Sequence, residues 1–376
     1  MTIGCLVKMR HDGYRASTSS LHAMPIFLNT KESLSRILIQ LHSFHMLTLP
    51  CLMDTLATGI TQLRIQRFVN VYFVETETPN EWVLIDTGLP GSAKTIIATA
   101  NDLFHAGTRP EAIILTHGHL DHLGSAKELA DYWRVPVIAH PLEMPYLTGQ
   151  ALYPPCDPTV GGSLAFMSRF FPTQLPNLGE RVQALNAADP SVPYLMGWRW
   201  LHVPGHAPGQ LAFFREADQT LIGADAFATC HHDSIPAVLL GLPKISCAGT
   251  AFNYDWVAAR NSVQQLAALN PQAIGCGHGP VIQGPEAAAG LHELANNYPV
   301  PAHGRYVLEP ARTDASGVEH LPPAPKDKLP MQATIIGAGI LAAGAAWLLT
   351  GGRRRGRKKP EPSKLSPRTY RRGVGS

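Results

Sequence analysis

Ile113-Ile-Leu-Thr116-His117-Gly118-His119-Leu120-Asp121-His122-Leu123-Gly124 is the stretch on which the reading of this chain turns. Its opening apolar run reads as a buried strand, and three imidazoles and one carboxylate follow it within a bend that Gly118 permits. His117 and His119 alternate along an extended segment, so both can point at one ion. Asp121 and His122 lie at the start of a helix predicted over residues 122–132 and can reach a second. Imidazole nitrogen and carboxylate oxygen are donors that zinc and other borderline-soft dications favour. Four such groups between residues 117 and 122, with no basic partner alongside, are costly to bring together without a cation. The alternative is a polar loop that happens to be rich in histidine.

The stretch resembles the His-x-His-x-Asp-His signature of the metallo-β-lactamase superfamily, and the resemblance continues along the chain in the family's order. Val83-Leu-Ile-Asp86-Thr-Gly88 is similar to the strand end that the family places beneath its site. Val203-Pro-Gly-His206-Ala-Pro-Gly209, Leu221-Ile-Gly-Ala-Asp225-Ala226 and Gly275-Cys-Gly-His278-Gly279 resemble its third, fourth and fifth motifs. Several ordered motifs over residues ~60 to 310 make the match more specific than a lone pattern. The resemblance implies an α/β fold, a four-layer αββα sandwich. It implies His117, His119 and His206 as ligands of one metal, Asp121, His122 and His278 as ligands of a second, and Asp225 as the bridging carboxylate. Asp121 and Asp225 are the residues it assigns to catalysis, and two zinc ions per chain are the expected cofactor, with iron or manganese as substitutes. Asp86 is expected to accept a hydrogen bond from the metal loop or a ligand imidazole, as metal-bound histidines require. The alternative is a strand-end aspartate capping the Thr87-Gly88 turn.

At 376 residues and 45% hydrophobic content, the chain can bury a large core. Its net charge of +3 averages two unlike parts. The tail from Gly351 to Ser376 carries ten Lys or Arg against Glu361, which leaves 21 basic and 27 acidic residues, a charge of −6, for the remainder. Nucleic-acid enzymes draw affinity from cations that displace counterions around phosphate, so no nucleic-acid partner is expected for the body. The six cysteines, at 5, 51, 156, 230, 247 and 276, show no Cys-x-x-Cys pair and no disulfide density. Cys276 reads as a small buried residue at a strand end.

Residues 1–55 read as an irregular extension without a secretory signal, with Met53 as an alternative start. The catalytic domain is placed at residues 56–310. Within it, 61–75 and 82–86 read as two strands of a hairpin, Ser92–His105 as a helix capped by Ser92, and 112–115 and 135–139 as strands. Residues 141–196 are dense in Pro, Gly and aromatic side chains and lack periodicity. A segment of that length inside a compact domain suggests a wall over the site, with plain packing against a sheet as the alternative. Strands follow at 198–203, 211–215 and 220–222, a helix at 254–269, and a strand at 272–276 that delivers His278. His140, His202, His231 and His232 follow no pattern that ties them to the metals and each reads as a surface or satisfied core residue, with a place in the pocket lining as the alternative.

Residues 311–330 read as a Pro-rich linker, and 331–350 as a charge-free run of the length a helix needs to cross the hydrocarbon core. Trp347 and Arg353-Arg354-Arg355 supply interfacial and positive flanks, so the expectation is a single-pass, membrane-anchored protein. A buried or surface-lying helix is the alternative. The basic tail, 351–376, suits anionic lipid. The charge rule places that tail in the cytoplasm and the body outside, yet no export signal is visible, so the sequence does not fix the side.

The resemblance implies a zinc-dependent hydrolase that uses a metal-bound hydroxide on a small acyl-type molecule: an ester, lactone, thioester or relative. One competing reading is a mononuclear iron oxidoreductase similar to the persulfide dioxygenases. A phosphodiesterase or nuclease, and a non-catalytic metal-binding module, are further alternatives.

Overall fold

The structure, a computed structural model, describes residues 51–172 and 175–327. Its first sheet takes seven strands in chain order: β1 (Leu52–Ala57), β2 (Ile60–Ile65), β3 (Val69–Glu75), β4 (Trp82–Ile85), β5 (Ile113–Ile114), β6 (Val137–Ala139) and β7 (Val182–Ala184). The first four are an antiparallel meander, and pairing turns parallel from β4 onward. Parallel neighbours need crossovers. Helix α1 (Ala93–Leu103) supplies one between β4 and β5, and α2 (Leu120–Leu123) with α3 (Ala126–Trp133) supplies the next.

The second sheet contains β8 (Ser191–Val192), β9 (Leu195–His202), β10 (Leu211–Arg215), β11 (Thr220–Ile222), β14 (Ala273–Gly275) and β15 (Ile282–Gln283), ordered β15-β14-β11-β10-β9-β8. Strands β12 (Ala228–Cys230) and β13 (Pro243–Ser246) pair separately. Helices α4 (Trp256–Ala267) and α5 (Pro285–Asn296) flank β14 and β15 in sequence.

Strand alternation sets the layers. On β3, Val71 and Phe73 pack with Ile96 of α1 and Leu129 of α3, while Tyr72 and Val74 face Phe213 and Ile222 of the second sheet. On that sheet, Phe214 and Leu221 turn the other way, onto Trp256 and Val263 of α4 and Leu291 of α5. The order is therefore helix, sheet, sheet, helix. Polar groups between the sheets fix one loop of the site. The Asn70 amide donates to the carbonyls of Cys276 and Gly279 at 2.8 Å, and the Tyr72 hydroxyl donates to the Cys276 carbonyl at 2.7 Å.

Several boundaries differ from the sequence reading. Residues 61–75 are two strands, because the chain bends through Gln66 and Arg67, whose φ values of 50° and 60° no glycine or proline announces. The helix predicted over 122–132 begins at Leu120 and breaks at Gly124–Ser125. There the Ser125 hydroxyl donates to the Leu89 carbonyl at 2.7 Å and accepts from the Ser92 N–H at 3.0 Å. Ser92 stands at the N-cap of α1 but its side chain caps nothing.

Strand β1 begins inside the proposed extension, with Leu52 and Met53 paired to Arg64 and Leu63. The proposed linker opens with a hairpin, β16 (Arg312–Asp314) and β17 (Gly317–His320), and Ala311 and Leu321 beside it join the second core. The folded domain thus runs beyond residue 310. Among the described residues no helix is long and apolar enough to cross a membrane, and the run 331–350 and the tail 351–376 lie outside them.

Candidate metal centre

All seven predicted donors come from strand ends on one rim of the sandwich. His117, His119, Asp121 and His122 follow β5; His206 lies between β9 and β10, Asp225 follows β11, and His278 follows β14. Rigid strands thus deliver side chains to a gap where the backbone is free to bend. Gly277 keeps that gap clear, since a Cβ there would stand 2.7 Å from His122 Cε1 and press on Asp225 Oδ1.

The seven form two trios joined by one carboxylate. His119 Nδ1 lies 3.0 Å from both His117 Nε2 and His206 Nε2. Asp121 Oδ2 lies 3.3 Å from His278 Nε2 and 3.8 Å from His122 Nε2. Asp225 Oδ2 stands between the trios, 3.4 Å from His206, 3.6 Å from His122 and 3.2 Å from His278. The trios are the sets in which ligand atoms lie mutually close enough to share an ion, and His117, His122 and Asp225 form a third.

The hydrogen bonds behind the ring nitrogens fix which lone pairs face inward. Asp86, in left-handed backbone at φ 61°, accepts from the Thr116 N–H at Oδ1, and from the Thr116 hydroxyl and His122 Nδ1 at Oδ2, each at 2.8 Å. Since the Thr116 proton goes to Asp86, its oxygen accepts from His117 Nδ1 at 3.0 Å. His278 Nδ1 donates to the Phe68 carbonyl at 2.8 Å. In all three rings Nδ1 donates outward and Nε2 is the nitrogen aimed into the cluster, as metal-ligating histidines require. His122 Nε2 and Asp225 Oδ1 are buried with no hydrogen-bond partner. Lone pairs facing lone pairs and carboxylates need a cation between them, so the residues fit a pair of divalent ions.

Electrostatics divide the cluster. Burial and neighbouring imidazoles, His122 above all, hold His117 well below the usual histidine range. Burial and His206 bring His119 to about 3, and burial lowers His206 as well. These three are neutral donors at neutral pH. Burial opposes charge on His278 too, yet Asp225 and Asp121 overcome it and raise that ring to about 10. Asp121, Asp225 and Asp86 likewise outweigh burial at His122. Burial favours protonation of Asp121 and Asp225, but His122 and His278 keep both ionised. The second trio is thus built around positive charge, which a metal would supply in place of protons.

Asp86 reaches both Thr116 and His122, the role expected from its place under the loop, rather than capping the Thr87-Gly88 turn. Cys276 is buried, and burial pushes its thiol up to about 11. His140 and His202 stack on each other at 4.5 Å, and His231 is exposed. His232 departs from the sequence reading: its ring stacks on His278 at 3.9 Å and lines the cavity over the metals, while its Nδ1 accepts from the Gly249 N–H at 2.9 Å.

Glu143 and Tyr153 were not singled out by any motif. Glu143 is fully buried and accepts from the Gly118 N–H at 2.9 Å, the Gly209 N–H at 2.6 Å and the Tyr153 hydroxyl. It ties the His117–His119 loop to the His206 loop. No residue type at a fixed offset marks it, and the available signal was an acid without a basic partner inside an aromatic segment. That segment does form a wall: Tyr153, Pro154, Leu164, Phe171 and Leu175 line the cavity that the metal donors floor.

An αββα sandwich carrying such a centre at its strand ends defines a metal-dependent hydrolase. The chain belongs to the metallo-beta-lactamase superfamily, whose sequence model matches residues 64–278. It is 39% identical over 242 residues to the probable metallo-hydrolase YflN of Bacillus subtilis, covering 64% of this chain and 91% of that protein. It is 32% identical over 221 residues to the uncharacterized protein YobT of the same organism, covering 58% and 85%. Among solved structures it is similar to TTHA1623 in a di-iron-bound form, at 27% identity and a TM-score of 0.40, covering 58% of this chain and 92% of that one.

Proposed function

We propose that this protein hydrolyses a small acyl-type substrate, an ester, lactone or thioester, at a two-metal centre, with zinc as the ion that suits the donors best. The observation that carries the reading is Asp225 Oδ2 standing between two complete trios, in which His117, His122 and His278 aim Nε2 inward. Ions held by these two trios would supply hydroxide at neutral pH and polarise the substrate carbonyl. Asp225, nearly enclosed, holds the two halves of the centre together, whereas Asp121, with 23% of its side chain exposed, faces the cavity and is placed to take a proton. Hydrolysis forms one bond from hydroxide oxygen to the acyl carbon and breaks the bond to the leaving oxygen or sulfur, which departs with a proton. Phe68, Leu120 and Phe252 border the donors and limit water near the reacting carbon.

Metal analysis of the purified protein, grown with zinc and iron both supplied, combined with an ester, lactone, thioester and phosphodiester panel, tests this. Close to two metals per chain and acyl cleavage without oxygen are expected. One iron per chain with turnover that consumes oxygen would sink the hydrolase reading and favour a dioxygenase. We further propose that residues 331–350 anchor the protein in a membrane, so that truncation after Pro330 releases it from carbonate-washed membranes with activity intact; full-length protein in the soluble fraction after carbonate washing overturns that.

A further inference from the structure

We infer that the cavity over the metals is a binding site for an extended hydrophobic acyl chain, and that the hairpin Arg312–His320 forms part of the wall that sets the chain length. This rests on the hydrolase reading for where the scissile carbonyl lies, but the binding of the chain stands on the cavity alone.

The cavity measures about 690 Å³, within the range of roughly 300–1,000 Å³ typical of small-molecule sites. Its polar groups gather at the metal end, where His232 stacks on His278 and the Tyr153 ring lies 5.0 Å from that of His119. The rest of the lining is largely apolar, with Leu152, Leu164, Phe171, Leu175, Val318 and Leu321 on its walls. Two polar residues interrupt it, and both are tied to backbone carbonyls. The Ser168 hydroxyl donates to Ala165 at 2.8 Å. The Arg169 guanidinium donates to Ala165 and Phe166 at 3.1 and 3.2 Å and to Pro158 at 3.0 Å. Apart from the Arg169 guanidinium and the metal donors, such a lining rewards each methylene it removes from water.

The wall is made by segments that are far apart in sequence. Leu164, Ser168 and Phe171 turn inward from the helical stretch 163–171, whereas Phe166 and Phe170 on its other side are exposed. Leu152 lines the cavity and is 60% exposed, so the mouth is apolar as well. Opposite the helical stretch in sequence, the hairpin brings Val318. Gly317, at φ +120°, lets it approach so closely that a Cβ there would stand 2.5 Å from the Ala151 Cβ, which seats the hairpin against the loop bearing Leu152. A wall assembled from two such segments is where length and shape of a chain are selected.

The product of acyl hydrolysis is a carboxylate, so saturated fatty acids probe the site whether or not turnover is found. Displacement of a fluorescent fatty-acid probe from the metal-loaded full-length protein is measured with acids from butanoate to dodecanoate. Affinity is expected to rise about fourfold per added methylene, the transfer free energy of one CH₂, up to a limit set by the wall. Val318→Trp should lower dodecanoate affinity relative to butanoate by on the order of tenfold, as overfilling a packed site does. Phe171→Ala, which removes another lining side chain, should move the limit to longer chains and keeps the test decisive if the tryptophan variant fails to fold. Affinity that is flat in chain length, or a limit that neither variant moves, overturns the inference. Metal-dependent ester cleavage without chain-length preference overturns it too, while leaving the hydrolase reading in place. Length-dependent binding without cleavage of any acyl substrate does the reverse.

Discussion

The floor of the cavity and its wall are built on opposite principles. The floor takes its groups from the ends of β5, β9, β11 and β14, strands locked into two sheets, and three of its imidazoles are held from behind, His117 by the Thr116 hydroxyl, His122 by Asp86 and His278 by the Phe68 carbonyl. The wall takes its groups from short helical turns and a two-stranded hairpin, elements that depend on packing against one another. Catalysis needs donors fixed to fractions of an ångström, whereas choice of substrate needs only a shaped apolar surface. Changes to the floor should therefore abolish chemistry, and changes to the wall should shift preference or stability.

The largest effect is expected at the carboxylate shared by the trios. Asp225→Ala removes a group within 3.6 Å of three donor nitrogens, leaves His278 without its main counter-charge and takes from His122 one of its three. Turnover should fall by more than about a hundredfold, the upper end of what even supporting residues cost, and metal content should drop at both positions. Retention of two tightly held metals with near-normal turnover would break the floor's side of the comparison. Next is Asp86→Asn, which keeps the shape but hands the Thr116 hydroxyl and His122 Nδ1 a weaker acceptor at one oxygen or a donor in its place. A loss of about 10- to 100-fold in metal affinity or activity is expected, with the fold unchanged by circular dichroism.

The same contrast decides what could be read from sequence. Donors at strand ends follow short motifs, because chemistry dictates residue type and the strand dictates spacing. The family resemblance rests on those motifs and so names His117, His119, Asp121, His122, His206, Asp225 and His278 together, while strand pattern alone places β10 and β11 at 211–215 and 220–222. The turn at Gln66–Arg67 was hidden, since side chains that normally avoid positive φ occupy it. Glu143 and His232 were hidden for a different reason: their partners are Gly118, Gly209 and Gly249, backbone groups distant in sequence that no residue pattern reports. The hairpin at 312–320 sits beside a Pro-rich run, whose composition masked two short strands.

Glu143 lies where floor and wall meet, and Glu143→Ala should show the character of both. It strands the Gly209 N–H and the Tyr153 O–H and leaves the Gly118 N–H with the Tyr153 oxygen alone, at about 1–3 kcal/mol for each buried group left unpaired. The thermal midpoint should drop clearly, and the affinity of the His117–His119–His206 position should weaken more than that of the other. Equal weakening of both metals, or an unchanged midpoint, would show that the two loops are held by something else.

The smallest effect belongs to a histidine that chemistry does not use. His140 is buried against His202, their rings 4.5 Å apart and nearly parallel, and its Nδ1 accepts from the Leu142 N–H at 3.2 Å. A proton on that nitrogen would break the bond and place charge in a buried stack, so burial and then His202 lower the group from 6.5 to about 4. Above pH 6.5 the ring is neutral folded or unfolded and contributes nothing to pH dependence. As pH falls from 6.5 towards 4 the unfolded chain takes up a proton that the folded chain refuses, so stability declines through that window and levels off below it. His140→Asn offers an oxygen to the same N–H without titrating. Unfolding midpoints of the two proteins should run parallel above pH 6.5 and converge, or cross in the variant's favour, as pH drops towards 4. The buried imidazoles of the floor titrate in both proteins and cancel in the difference. Parallel curves over the whole range would mean that His140 is already open to protons, and that the wall's base is looser than its packing implies.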